Sequence, residues 1–194
     1  MPEGCRPGRL DGVVVLERPT LEDERGFFHE AFRLRDLEEY LEHPVTFLQV
    51  NHSRSHKNVL RGLHAENWSK LVYVPSGDVF TAVADIRPWS PTFGLVETFR
   101  FSDANRPTVF LPAGLAHGYC VLSEVADYLY QVTSYYDGSD TRAVAWDDPD
   151  LAVPWPTRTP ILSDRDRRNP TLRELVPERF QDSDGVAVLA GHLA

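Results

Sequence analysis

The stretch DYLYQVTSYY at residues 127–136 indicates most clearly which kind of fold the chain adopts. Side chains of a β-strand point alternately to the two faces of a sheet, so a strand here places Tyr128, Tyr130 and Val132 on one face. Turn residues such as PSG at 75–77 separate further short apolar runs, which is typical of an all-β sandwich or barrel. The other predicted strands are residues 13–16, 46–51, 58–64, 70–75, 78–86, 93–101, 107–111 and 117–122.

Helical periodicity is confined to short segments. Leu34, Leu37 and Leu41 recur at i, i+3 and i+7, which predicts a helix over 34–42. The leucines should pack on the sheet, and the charged residues, Asp36 among them, should lie on the outer face of the helix. A second helical turn is expected after Pro170. Residues from about 176 to 194 show no clear period and predict a loosely held tail.

Length and composition limit the number of domains, the cellular compartment and the kinds of partner that are expected. A chain of 194 residues fits one domain, 1–194, with a core at about 10–172. Its two cysteines have neither metal-ligand nor redox spacing, which favours a reducing compartment, the cytoplasm. The N-terminus has no apolar signal region, and no run approaches the roughly 18 apolar residues of a membrane span. A net charge of −9 argues against a nucleic-acid partner.

Three basic side chains follow one another on two apolar segments. Arg61 and His64 belong to NVLRGLH at 58–64, and Lys70 begins KLVYV at 70–74 after a short polar break. Adjacent strands with these residues can direct all three groups into one pocket. Such a pocket suits an anionic, enolisable substrate.

The sequence carries half of a metal-binding pattern. PAGLAH at 112–117 matches the P-x-G-x-x-H half-motif of cupin barrels, but the other half-motif needs H-x-H and here reads His64-Ala65-Glu66. With one histidine missing, an imidazole-rich metal site is hard to assemble, so no metal is predicted. His64 and His117 are better assigned to acid–base chemistry or to substrate hydrogen bonds.

A set of separate motifs resembles the dTDP-4-dehydrorhamnose 3,5-epimerase family over about residues 10–172. These motifs are DERGFFHE at 23–30, QVNHS at 49–53, LRGLH at 60–64, DIR at 85–87, AHGY at 116–119, WDDP at 146–149 and LSDRD at 162–166. The family consists of metal-free cupins that act on nucleoside-diphosphate 4-keto-6-deoxysugars. The resemblance implies an all-β cupin-type double-stranded jelly-roll barrel with one or two short peripheral helices, a homodimer, and catalysis without a cofactor.

The resemblance also implies roles in catalysis. By family analogy His64 removes the proton next to the ketone, and Asp166 orients its imidazole. Lys70 stabilises the enolate. Tyr130, on the strongly alternating strand, returns a proton to the opposite face. The expected reaction inverts C3, C5 or both, with dTDP-4-keto-6-deoxyglucose as the first candidate substrate.

Further matches imply substrate binding. Guanidinium groups pair with phosphate oxygens bidentately, and aromatic rings stack on bases, whereas amides, carboxylates and imidazoles bind hydroxyls. The candidates are Arg25, Arg61 and Arg165 for the diphosphate, Phe28 or its neighbour Phe27 for the base, and Glu30, Gln49, Asn51 and His117 for the sugar or nucleotide.

Structural roles compete with several of these assignments. His64 on an apolar strand fits a hydrogen-bonded structural histidine, and Tyr130 fits ordinary sheet packing. Asp166 fits a turn or a helix cap before Pro170. Arg25 and Glu30 fit a surface ion pair.

The loop between His64 and Lys70 departs from the family pattern. It is about four residues shorter than usual and lacks Phe-Gln after the histidine. A similar shortening occurs in relatives that act on GDP-linked 4-keto-heptoses, which therefore form a second candidate substrate class. The residues also fit a cupin 3,4-ketoisomerase, a sugar-nucleotide binding module without catalysis or a metal-dependent cupin oxidoreductase.

Overall fold

Two antiparallel sheets enclose the core in the computed structural model, which describes residue 2, residues 4–138 and residues 141–180. The six-stranded sheet contains, in spatial order, β1 (Cys5–Pro7), β2 (Val14–Leu16), β10 (Thr108–Leu111), β7 (Lys70–Ser76), β12 (Val125–Val132) and β5 (Gln49–His56). The five-stranded sheet contains β13 (Thr141–Ala143), β6 (Leu60–Glu66), β11 (Leu115–Val121), β8 (Val79–Asp85) and β9 (Val96–Phe101). A separate hairpin pairs β3 (Thr20–Asp23) with β4 (Gly26–His29).

Aromatic side chains join the two sheets at the centre of the core. The rings of Tyr119 on β11 and Tyr128 on β12 stack with centroids 4.0 Å apart. Phe101 meets Tyr128 edge to face at 6.3 Å. Both arrangements are favourable for aromatic quadrupoles and add to the burial of apolar area. Tyr128 is fully buried, and Tyr130, from the same predicted face of the strand, packs against the core.

The all-β jelly-roll prediction is confirmed, with differences at several strand ends. The strand predicted at 46–51 runs instead from Gln49 to His56, paired along its length with β12. The strand predicted from 93 begins at Val96, because residues 90–95 form turns in which Phe93 N–H donates to the Ser90 carbonyl. The short strands β1, β3, β4 and β13 were missed.

The predicted helices are present as α1 (Leu34–Leu41) and α2 (Leu172–Leu175). The expectation that Asp36 lies on the solvent face of α1 is wrong: its carboxylate is buried in an ion pair with Arg18. Short 3₁₀ helices occupy Asp166–Arg168 and Pro177–Arg179. None of the helices in the described part of the chain is long and apolar enough to cross a membrane.

The predicted tail begins with residues that contact the barrel. Val176 is buried in a cluster with Leu172 of α2, and the Phe180 ring packs 6.2 Å from that of Phe93. The rest of the predicted tail, residues 181–194, lies outside the residues that the structure describes.

Two glycines allow β6 and β11 to approach closely beside the predicted base. Gly62 has φ +132°, and a Cβ on it would lie 2.5 Å from the Gly118 Cα and 3.0 Å from the His117 carbonyl oxygen. Backbone atoms cannot move aside as a flexible side chain can. The close approach therefore helps to set His64 opposite His117, its register partner.

We expect Gly62→Ala to lower the free energy of unfolding by about 1 to 3 kcal/mol, because overpacking adds to an unfavourable positive φ. Urea unfolding measures the change. Gly94→Ala is the matched control: Gly94 has φ +81°, but an added Cβ meets nothing within 4 Å. Equal losses in the two variants would show that the contact with β11 is unimportant.

Candidate active site

A cavity of about 590 Å³ opens into the barrel and contains most of the predicted site residues. Its walls come from both sheets and from the segment at 161–166. The nine predicted residues that line it are His64, Lys70, Tyr130, Asp166, Gln49, Asn51, Arg61, His117 and Arg165.

His64 and Asp166 form a dyad across 102 positions of sequence. His64 Nε2 lies 2.6 Å from Asp166 Oδ1, and Ser163 Oγ donates to Asp166 Oδ2 at 2.9 Å. Burial alone would raise the pKa of Asp166, but the hydrogen bonds from His64 and Ser163 and nearby positive charge lower it overall. An ionised carboxylate only accepts, so Nε2 carries the hydrogen and Nδ1 keeps the lone pair that can take a proton.

Lys70 lies in the cavity wall beside Glu66. The two side chains form an ion pair and are 7% and 13% exposed, respectively. Glu66 ends β6 and Lys70 begins β7, so the short connection at 67–69 brings them together. An ammonium has three N–H donors, and a single carboxylate contact leaves donors for a substrate oxygen.

His117 stands opposite His64 on β11 and is buried. Burial lowers its pKa well below the ordinary value, and the nearby Lys70 and His64 charges act in the same direction. Its Nε2 lies 2.7 Å from the Tyr128 hydroxyl. His117 is thus a neutral imidazole at pH 7, suited to hydrogen bonding rather than to holding charge.

Tyr130 approaches the cavity from the opposite sheet. It lies on β12, whereas His64 lies on β6 of the five-stranded sheet. Burial raises the pKa of the Tyr130 phenol, and the Glu66 charge raises it further. Tyr130 therefore remains protonated at neutral pH and can donate a proton from a side of the cavity that His64 does not occupy.

Polar side chains near the mouth are already ordered by local hydrogen bonds. Arg61 Nε donates to Ser55 Oγ at 3.1 Å. Gln49 Nε2 donates to Asn51 Oδ1 at 2.7 Å, while Gln49 Oε1 accepts from the Tyr136 N–H at 3.2 Å. Such contacts reduce the entropy that a bound ligand would otherwise have to remove.

Three predicted binding residues, Arg25, Phe28 and Glu30, are not among the residues that line the cavity of their own chain. Arg25 and Phe28 belong to the β3–β4 hairpin, which pairs only with itself among the described strands, and Phe28 is 69% exposed. Arg25 bonds Asp23 instead of Glu30, and Glu30 Oε1 accepts from Arg33 Nε at 2.6 Å. The competing structural interpretation, a surface ion pair between Arg25 and Glu30, is therefore wrong.

Sequence reasoning missed several residues of the cavity wall. Glu66 was noted only as a departure from a motif, although its spacing of four from Lys70 hints at an ion pair. Trp68 and Tyr136 pack edge to face with centroids 6.3 Å apart. Ser163 stands three residues before Asp166, and this Ser-x-x-Asp spacing is the signal that could have identified it.

The described residues contain no group of three or more His, Cys, Asp or Glu side chains arranged to hold a metal ion. His64 and His117 are neighbours across β6 and β11, but Asp166 and Tyr128 already occupy one nitrogen of each. The absence of a metal and of a cofactor remains a prediction.

Comparison with known proteins agrees with this geometry. Residues 7–174 match the family model for dTDP-4-dehydrorhamnose 3,5-epimerase. The enzyme of that name from Pseudomonas aeruginosa is 43% identical over 163 residues, which cover 82% of this chain and 90% of the relative. A dTDP-4-dehydrorhamnose 3-epimerase from Streptomyces niveus is 36% identical over 166 residues, covering 84% and 80%.

Solved structures give the same result. The 4-keto-6-deoxy sugar epimerase NovW of Streptomyces spheroides superimposes with a TM-score of 0.87 at 34% identity, covering 92% of this chain and 94% of NovW. A dTDP-6-deoxy-D-glucose-3,5-epimerase from Legionella pneumophila, in complex with dTDP-4-keto-L-rhamnose, gives 0.83 at 38% identity, covering 90% and 95%. With both sequence and fold matched over most of their lengths, the chain belongs to the dTDP-4-dehydrorhamnose 3,5-epimerase family.

Proposed function

We propose that the protein is a cofactor-independent epimerase that inverts C3, C5 or both of a nucleoside-diphosphate 4-keto-6-deoxysugar, with dTDP-4-keto-6-deoxyglucose as the first substrate to test. The observation that supports this function is that the proposed base and the proposed acid lie on opposite sheets of one cavity. His64, backed by Asp166, lies on β6, and Tyr130 lies on β12. Inversion of a carbon needs proton removal on one face and proton return on the other.

The first step is proton removal next to the ketone. His64 Nδ1 takes the α-proton, and the C–H electron pair moves into a C–C double bond while the carbonyl oxygen gains negative charge. Asp166 stabilises the resulting imidazolium through the 2.6 Å contact with Nε2. Its low pKa keeps it ionised throughout.

The second step places a proton on the opposite face. Lys70 offers positive charge to the enolate oxygen, an effect worth about 10² to 10³ in rate for a single donor. Tyr130 then donates its phenolic proton to the carbanionic carbon, which restores the ketone with inverted configuration. Solvent reprotonates Tyr130 and accepts the proton from His64.

Solvent deuterium distinguishes the candidate reactions. In D₂O each inverted carbon acquires one deuterium, so NMR of the product shows whether C3, C5 or both react. A GDP-linked 4-keto-heptose serves as the second substrate because the short loop between His64 and Lys70 alters the cavity wall. A ketoisomerase product would instead show its carbonyl at C3. If no 4-keto sugar nucleotide exchanges, the epimerase function is refuted.

The hairpin residues suit a site shared between two copies of the chain. Leu21, Phe27 and Phe28 are exposed on β3–β4, and the Arg25 side chain is 85% exposed. Exposed apolar groups on a short, isolated hairpin favour burial against a partner. We include in the proposal a homodimer in which each hairpin brings Arg25 and Phe28 to the cavity of the other subunit.

A mixing experiment tests the shared site. Arg25→Ala and His64→Ala dimers, each nearly inactive, are mixed, unfolded and refolded together. Random pairing makes mixed dimers in which the cavity with intact His64 receives an intact Arg25 from its partner, so activity should recover to roughly a quarter of wild type. If Arg25 acts within its own chain, the mixture stays as inactive as its components.

The proposal places the enzyme in the cytoplasm. Its cysteines, Cys5 and Cys120, are both buried and unpaired. Free buried thiols are usual where the compartment is reducing. Nucleoside-diphosphate sugars are the proposed small-molecule partners, and neither nucleic acid nor membrane is expected to bind.

A further inference from the structure

The cavity wall contains a second carboxylate whose position the proposed mechanism leaves unused. Glu66 contacts the Lys70 ammonium, and both side chains are largely withdrawn from solvent. Taking an ammonium out of water is strongly unfavourable unless an opposite charge compensates it. The contact with Glu66 thus allows a charged lysine to stand beside the reacting carbonyl.

Among the described residues that line the cavity, Glu66 is the one placed to compensate the positive charge of Lys70. The titratable and charged groups that line the same cavity are Arg61 and His64 on β6, His117 and Tyr119 on β11, Tyr130 on β12, Tyr136, Arg165 and Asp166. Asp166 is the other carboxylate among the described lining residues, and His64 and Ser163 hold it. The remaining groups are cations, imidazoles or phenols, none of which can neutralise an ammonium.

We propose that Glu66 is a positioning residue, which holds Lys70 charged and fixed in the cavity wall and keeps Tyr130 in its protonated, acid form. The inference rests on the proposed epimerase function. The contact with Lys70 is direct. The action on Tyr130 is electrostatic: burial raises the pKa of that phenol, and the negative charge of Glu66 in the same cavity raises it further. In the proposed mechanism Glu66 itself transfers no proton.

The direction of the pH effect follows from the charge of Glu66. Tyr130 must carry its proton to act, so activity falls as pH rises past the point where the phenol loses it. Without the Glu66 charge the phenolate is less strongly opposed, so the pKa of Tyr130 is lower than in the wild type. The alkaline limb of the kcat profile therefore moves toward acid.

The test is the pH profile of Glu66→Gln, followed as initial epimerisation rates. The alkaline limb should move toward acid, because the Tyr130 phenolate no longer faces the negative charge of Glu66. Because the interaction serves the transition state, kcat and kcat/KM should fall together. Glu66→Asp keeps the charge and should return the limb to the wild-type position even if its rate is lower.

Glu97→Gln is the matched control for loss of a buried carboxylate. Glu97 accepts from the Arg9 and Leu10 N–H groups, at 2.8 and 3.3 Å, and is not among the residues that line the cavity. Its substitution can lower Tm but should leave the alkaline limb in place. Glu66→Ala replaces Glu66→Gln if the latter does not fold.

Wild-type exchange in D₂O separates the two proposals. If wild type exchanges and epimerises but Glu66→Gln keeps the wild-type limb, the positioning role is refuted and the epimerase function stands. If wild type neither exchanges nor epimerises, the function itself fails. If the alkaline limb of the pH profile moves as far in Glu97→Gln as in Glu66→Gln, the role of Glu66 is also refuted.

Discussion

His64→Ala should reduce kcat by about 10² to 10⁴, the usual scale for loss of a general base. In the proposed mechanism the imidazole takes the α-proton on Nδ1, because Nε2 is bound to Asp166. Deuterium incorporation into recovered substrate should fall by the same factor, since exchange and epimerisation share this proton removal. Initial rates and NMR in D₂O measure the two quantities.

His43→Ala is the control for this variant. His43 is exposed, and its contact is with the carbonyl of the adjacent Pro44. It should retain wild-type rates. A His64→Ala enzyme that still exchanges at the wild-type rate would reassign the base to another group of the cavity.

Asp166→Asn examines the other half of the dyad. The amide keeps the shape but removes the charge that stabilises an imidazolium, and it can present N–H instead of oxygen to His64. The wrong tautomer then places the hydrogen on Nδ1, as in other histidine dyads, where this change costs about 10⁴ in kcat. Ser163→Ala should cost less, because Asp166 keeps its contact with His64.

Local periodicity was sufficient to predict the framework of the barrel. Tyr128 and Tyr130 alternate with Leu129 and Gln131, and the structure places the first pair on the inner face of β12. Alternation is a local property of the strand, so it is readable without knowing the partner strands. Short strands such as β1 and β13 carry only 3 residues each, too few to show a period.

The site depends on contacts that no local pattern encodes. Asp166 lies 102 residues from His64, and only the resemblance to a family linked them before the structure did. The same resemblance grouped Arg25 and Phe28 with the site, but the hairpin that carries them stands outside the cavity of its own chain. Sequence similarity identifies residues of a site without stating which subunit supplies them.

For Glu66, the sequence shows that the residue is near Lys70 but does not reveal that the two side chains form an ion pair. Its distance from Lys70 in sequence was visible, yet the pairing depends on the turn at 67–69 that folds β6 back toward β7. Residues 67–69 alone connect the end of β6 to the start of β7, so the side chains of Glu66 and Lys70 remain close to each other.

Tyr130→Phe should separate proton removal from proton return. The phenyl ring retains the packing of Tyr130 against the core but has no proton to donate. Epimer formation should fall by about 10² to 10⁴, as expected for loss of a general acid. Proton removal by His64 continues, so the enolate takes deuterium back on the face from which the proton left.

The ratio of exchange to epimerisation is thus the decisive measurement for Tyr130. It should rise in Tyr130→Phe, because recovered substrate gains deuterium while inverted product does not form. Tyr135→Phe, whose side chain is exposed and is not among the residues lining the cavity, should leave the ratio unchanged. If Tyr130 only packed, the phenyl ring would keep that role, so both rates and their ratio would stay constant. An unchanged rate of epimer formation would assign the acid to another residue on the β12 side of the cavity.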